Sequence, residues 1–154
     1  MRRFRRFVLP LFALTLSSTA CDDPVGLDHI LVTVVVEPDR IVPGDTAIIG
    51  VRFTNTAPFP VELGRWCRHL FEVANAQGEV VVGREPLFCI AIAVPPEVLA
   101  PFESVERRIP WTGQRWRWVG GTPVLESLPA GHYRIYGKLD GRRSAPDAIE
   151  IQAP

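Results

Sequence analysis

Fifteen prolines and twelve glycines, scattered through 154 residues rather than gathered in one tract, constrain the fold more than any other feature. Proline breaks helix interiors and strand centres alike, so a chain punctuated this often is not built from long helices. It suits many short strands joined by turns. Hydrophobic residues make up 47% of the chain, which supports a packed core and argues against disorder. The length fits one domain with a short targeting segment.

Between the breaks the hydrophobic period is two. Ile30, Val32, Val34 and Val36 would share one face of a first strand. Thr46 to Asn55 (TAIIGVRFTN) repeats the pattern with Ala47, Ile49, Val51 and Phe53 inward, after a turn at Val42 to Thr46 (VPGDT). Further strands are expected at Val61 to Leu63, Leu70 to Ala74 and Val80 to Val82, the last two joined by the hairpin loop Asn75 to Glu79 (NAQGE). Cys89 to Val94, Ser104 to Ile109, Tyr133 to Leu139 and Ala148 to Gln152 complete the set. The fold class predicted is all-β: an immunoglobulin-like antiparallel β-sandwich of about seven to nine strands. Leu128 to Tyr133 (LPAGHY) resembles the tyrosine corner of such sandwiches, in which the phenol bonds backbone upstream.

The N-terminus reads as an address. Met1 to Arg6 carry four arginines, Phe7 to Leu16 (FVLPLFALTL) are apolar, and Ser17 to Ala20 are small, the order of a secretory signal peptide. The apolar core is about half the roughly 20 residues of a membrane span, and Pro10 interrupts it. Leu16 to Cys21 (LSSTAC) resembles the lipobox of bacterial lipoproteins, although Ser18 stands where leucine is usual. That resemblance implies a diacylglycerol on Cys21, with cleavage before it. Each buried lipid methylene contributes about 0.8 kcal/mol, so two or three chains anchor a protein nearly permanently. An ordinary signal peptidase site, with Cys21 a chance occupant, is the alternative. Asp22 and Asp23 follow, and they leave the choice of membrane open. The expected organisation is therefore a signal peptide at 1–20, a lipidated tether at 21–28 and a sandwich domain at 29–154, held at the cell envelope and facing periplasm or exterior.

Two consequences follow from export. Loss of the four leader arginines leaves 13 basic against 17 acidic side chains, a net charge of −4. Nucleic acid is a poor partner for such a surface, because phosphate neutralisation dominates that affinity. With Cys21 acylated, Cys67 and Cys89 remain, 22 residues apart, and an oxidising compartment favours a disulfide between them. Closing that loop would contribute roughly 3 kcal/mol on the chain-entropy model. Two buried free thiols are the alternative. No second cysteine or histidine lies at metal-ligand spacing from either, so no metal is expected. Trp66 would pack on the disulfide, with Arg65 and Arg68 solvated beside it.

The order of motifs is similar to one family, the bacterial intracellular proteinase inhibitor (BsuPI) domain, across about residues 30 to 152. Phe53 to Thr56 (FTNT), the strand-turn-strand Phe71 to Val82 (FEVANAQGEVVV), Leu99 to Trp111 (LAPFESVERRIPW) and Leu128 to Leu139 (LPAGHYRIYGKL) carry the resemblance. Phe102 stands where the family usually has glycine, and the Cys67–Cys89 pair is foreign to a cytoplasmic inhibitor. The resemblance implies a sandwich and, more weakly, inhibition of a proteinase, here outside the cytoplasm.

No catalytic signature is present: no G-x-S-x-G elbow, no phosphate loop, no H-E-x-x-H pair. His29, His69 and His132 are isolated from one another and read as surface or rim histidines. The expectation is a protein without enzymatic activity or cofactor. One segment stands out, Trp111 to Trp118 (WTGQRWRW), on what reads as a long connection between strands. If extended, Trp116 and Trp118 point one way and Arg115 and Arg117 the other. Tryptophan and arginine are enriched in binding hot spots, so Trp111, Arg115, Trp116, Arg117 and Trp118 form a candidate patch for a protein, peptide or glycan. The competing reading makes Trp111 and one other tryptophan a core plug, covered by arginines through cation–π stacking. The function expected is a monomeric, membrane-tethered binding module for an unidentified protein or peptide, with a proteinase inhibitor as its sharper form. A structural envelope lipoprotein making protein contacts alone is the alternative.

Overall fold

The computed structural model describes residues 26–64, 69–83 and 96–154. The expected signal peptide, Cys21, Asp22, Asp23, Trp66, the Cys67–Cys89 pair and the strand at Cys89 to Val94 lie outside the described residues.

Among the described residues the chain forms strands β1 (Ile30–Glu37), β2 (Arg40–Ile41), β3 (Ala47–Asn55), β4 (Val61–Gly64), β5 (Phe71–Ala74), β6 (Val80–Val82) and β7 (Glu97–Leu99). They continue with β8 (Ser104–Trp111), β9 (Gln114–Val119), β10 (Thr122–Ser127), β11 (Gly131–Leu139), β12 (Arg142–Arg143) and β13 (Asp147–Ile151). The helical content of these residues is one 3-10 turn, Leu27–His29. Its Leu27, placed by sequence in the tether, is buried with the core.

The protein is an all-β sandwich. One sheet has the order β1-β3-β8, antiparallel throughout. The other has the order β2-β13-β11-β5-β6, with β12 added to β11. Its pairs are antiparallel except β2 with β13. Two short ladders, β4-β7 and β9-β10, complete the architecture. The period-two pattern explains the packing: Ala47, Ile49, Val51 and Phe53 of β3 are buried, and they meet Val73, Ile135, Leu139, Ile149 and Ile151 from the facing sheet. Each such side chain contributes roughly 1.5–3 kcal/mol on burial. Gly137 sits where the sheets approach closely; a Cβ there would lie 3.0 Å from a methyl of Val32 and of Val51.

Every strand expected within the described residues is present. The additional ones, β2, β7, β9, β10 and β12, include two-residue bridges too short to carry a period. The turns also form as their residues require. In the loop after β5, the Asn75 side chain accepts from the backbone N–H of Gln77 and Glu79. Tyr133 donates to the carbonyl of Pro129 at 2.8 Å, which completes the tyrosine corner.

Candidate functional site

Trp111 ends β8 and faces the core, 6% exposed, with its indole N–H donating to the Gln114 carbonyl at 2.8 Å. It plugs the end of the sandwich that also holds Ala47, its partner in register. The chain then turns at Gly113, where an added Cβ would press on Ile41 and Ile151 at 3.2 and 3.4 Å.

Beyond this base the segment is a hairpin rather than a long connection. β9 and β10 pair antiparallel from Gln114 opposite Ser127 to Val119 opposite Thr122. The loop is Gly120-Gly121, with φ of 58° and 84°. Two successive positive φ values are what a two-residue type I′ turn needs, and glycine supplies them without steric cost. Every residue from Trp116 to Leu125 is exposed, so the hairpin forms an exposed arm whose β9 strand also contacts β6.

Its two faces differ in chemistry. Trp116 lies opposite Leu125 and Trp118 opposite Pro123, which puts four apolar side chains on one face. Trp116, Trp118 and Leu125 are 53%, 44% and 47% exposed. On the other face the Glu126 carboxylate takes both arginines, Arg115 at 2.9 Å and Arg117 at 3.3 Å. The arginines therefore brace the arm through Glu126. The structure divides the sequence-derived patch: Trp111 belongs to the core, Arg115 and Arg117 to the bracing face, and Trp116 and Trp118 to the open apolar face. Leu125 and Pro123 were missed. Gly-Gly between two runs of β-prone residues was the signal that could have found them.

Elsewhere the polar groups serve the fold. Glu72 is a buried carboxylate held by Lys138 and by Arg143 at 2.5 Å, and Arg143 also lies over the Tyr136 ring at 5.3 Å. His29 meets Phe59 edge-on at 5.2 Å near the start of β1. His132 lies opposite Glu150 at the other end of the sandwich. Among the described residues no group of three or more histidine, cysteine, aspartate or glutamate side chains is placed to hold a metal. The Tyr133 phenol is held above its ordinary value by burial, partly offset by the Arg115 guanidinium.

No family model and no curated protein matches the sequence. Among solved structures, the fold is similar to part of the Pseudomonas fluorescens alkylpurine DNA glycosylase AlkC bound to DNA containing an abasic site analog. Identity there is 15% and the TM-score 0.49, over 81% of this chain and 31% of that one. It is also similar to part of a β-glucosidase from Listeria innocua in complex with gluconolactone, at 9% identity and a TM-score of 0.42, over 80% of this chain and 16% of that one. The chain thus spans about a third of the glycosylase and about a sixth of the glucosidase. Neither likeness carries an activity over to this chain.

Proposed function

We propose that this protein is a membrane-tethered binding module of the cell envelope, anchored by lipid on Cys21 and docking a protein or peptide partner on the apolar face of the β9-β10 arm. The observation that carries this reading is the arm itself. Two tryptophans, a leucine and a proline share one exposed face outside the buried core. A partner that covers such a face gains large apolar area at low entropic cost.

Placement supports the same reading. Leu27 enters the core at the end of the sandwich where Arg142 holds its carbonyl, and the arm leaves from the opposite end, beside Ala47 and Trp111. Between these ends β1 alone spans about 24 Å. A lipid at Cys21 would lie within about 20 Å of Gly26, the limit for a chain of that length. The arm would then face away from the anchoring membrane.

The test is in-cell cross-linking with the Trp116→Ala/Trp118→Ala variant. The expected result is an unchanged melting temperature with loss of the cross-linked partner. A variant that cannot fold, or one that keeps its partner, removes the arm from the reading. Resemblance to the intracellular proteinase inhibitor family makes a proteinase the first partner to try, and stoichiometric slowing of a serine proteinase by the intact domain would identify it. Anchoring is tested separately: Cys21→Ser should move the chain from the membrane fraction to the soluble envelope fraction.

A further inference from the structure

Gly50 occupies the middle of β3, the central strand of its sheet, on the face turned away from the core that Ile49 and Val51 fill. Nothing in the fold requires glycine there. Its backbone lies outside the left-handed range, and the atoms nearest an added Cβ would be the Glu106 Oε1 at 3.4 Å, the Val35 carbonyl at 3.7 Å and the Glu106 Cδ at 3.8 Å, ordinary contacts. Glycine in a strand interior is a cost in chain entropy and lost packing, and it often marks a bulge, a bend, or close approach by a ligand or another backbone. The register through Gly50 is regular on both sides, which leaves close approach.

What the missing side chain leaves is a trough. A cavity of about 330 Å³ lies over Gly50, with Val35, Ile48, Arg52, Glu106 and Arg108 around it. Register places Val35, Gly50 and Arg108 in one row across the sheet, and Thr33, Arg52 and Glu106 in the next. The charges are unequally spent. Arg52 donates to Glu106 Oε2 at 2.8 Å, which neutralises both. Arg108 stands 3.9 Å from Glu106 Oε1, beyond hydrogen-bond reach. Its guanidinium is therefore paired only loosely with Glu106 and keeps hydrogen-bond donors available at the end of the row, while Glu37 lies on the far strand.

We infer that this trough is a ligand site for a small monocarboxylic acid with a narrow apolar body. The carboxylate pairs with Arg108, whose planar fork matches two oxygens at once. The body lies on the bare backbone of Gly50 and against Val35 and Ile48. One available cation beside Glu106 and Glu37 suits a single negative charge and disfavours a polyanion. The site is on the flat of a sheet, separate from the β9-β10 arm, and does not depend on it.

Titrating the ¹⁵N-labelled full chain with phenylacetate, and in parallel with phenylacetamide, tests this. Phenylacetate should shift the Gly50 and Val35 amides to saturation, and the neutral amide should leave them in place. Gly50→Val, a residue that strands favour, should keep the core resonances and abolish the saturable shift. Arg108→Gln should weaken phenylacetate roughly tenfold or more. A shift that never saturates, equal responses to acid and amide, or saturable binding retained in Gly50→Val would each overturn the site. Should Gly50→Val fail to fold, unchanged affinity in Arg108→Gln would do the same.

Discussion

Asn55 closes the end of β3 with a side chain that water does not reach. Its amide nitrogen donates to the carbonyls of Phe59 at 2.8 Å, Ala100 at 3.0 Å and Leu99 at 3.2 Å, and its oxygen accepts from the Ala57 N–H at 2.8 Å. The loops on either side of the sandwich end thus share one polar knot. Asn55→Ala should cost about 2–4 kcal/mol, because several buried backbone groups lose their partner with nothing to replace it. Urea unfolding followed at unchanged m value measures it; a cost under about 1 kcal/mol would mean water fills the gap. In the sequence this residue reads only as the polar end of the strand Thr46 to Asn55, since residue type says nothing about which distant carbonyls will surround it. Tyr133 is the opposite case, legible from LPAGHY because its partner lies four residues upstream. Its phenol is raised by burial, so the unfolded chain loses that proton first as pH climbs. The stability involved is fully present below pH about 10 and falls as pH rises above it. Tyr133→Phe should flatten that alkaline decline while lowering stability at neutral pH by about 1 kcal/mol, the worth of one hydrogen bond. Thermal melts from pH 8 to 11 would show both, and parallel slopes in the two proteins would exclude the phenol as the source.

The turn before β8 and the β9-β10 arm show how far an element can be read locally. Glu103 donates its backbone N–H to the Ala100 carbonyl at 3.1 Å across Pro101-Phe102, and Phe102 has φ of +62°. That is the third position of a type II turn, where glycine is the residue without penalty. Phe102 is 68% exposed and returns little packing for its strain. Phe102→Gly should stabilise by about 1 kcal/mol, the left-handed penalty less the entropy glycine adds to the unfolded chain. A lower melting temperature in the variant would show instead that the phenyl ring contributes contacts worth more than the strain. The arm was harder to read. Strands of the sandwich declare themselves by one buried face, and β3 alternates accordingly. β9 and β10 bury neither face, so QRWRWV and TPVLES carry no inward-outward contrast, and Pro123 reads as a break. Only the Gly-Gly pair announces the turn.

At the scale of the whole molecule, the proposed tethering makes two things matter: where the chain would be held and where its exposed apolar surface points. The core strands were legible because each presents a hydrophobic row to the same interior; the relation between the two ends of the sandwich was not, since it depends on register. Ile30 pairs with Asn55, and the same ladders carry Ala47 to Trp111 at the other extreme. The start of the described chain at Leu27 and the arm that leaves beyond Trp111 are therefore separated by the length of the strands. An arm bearing two tryptophans could otherwise be read as a second membrane contact, because indoles favour the bilayer interface. Geometry separates these outcomes. With Cys21 acylated and the chain reconstituted in vesicles, the emission that disappears in Trp116→Ala/Trp118→Ala should be quenched by aqueous iodide. The same emission should not respond to brominated acyl chains, whose reach is confined to the bilayer. Strong quenching by the brominated lipid would mean that the domain folds back on its tether and lays the arm on the membrane, which would leave no face for a distal partner.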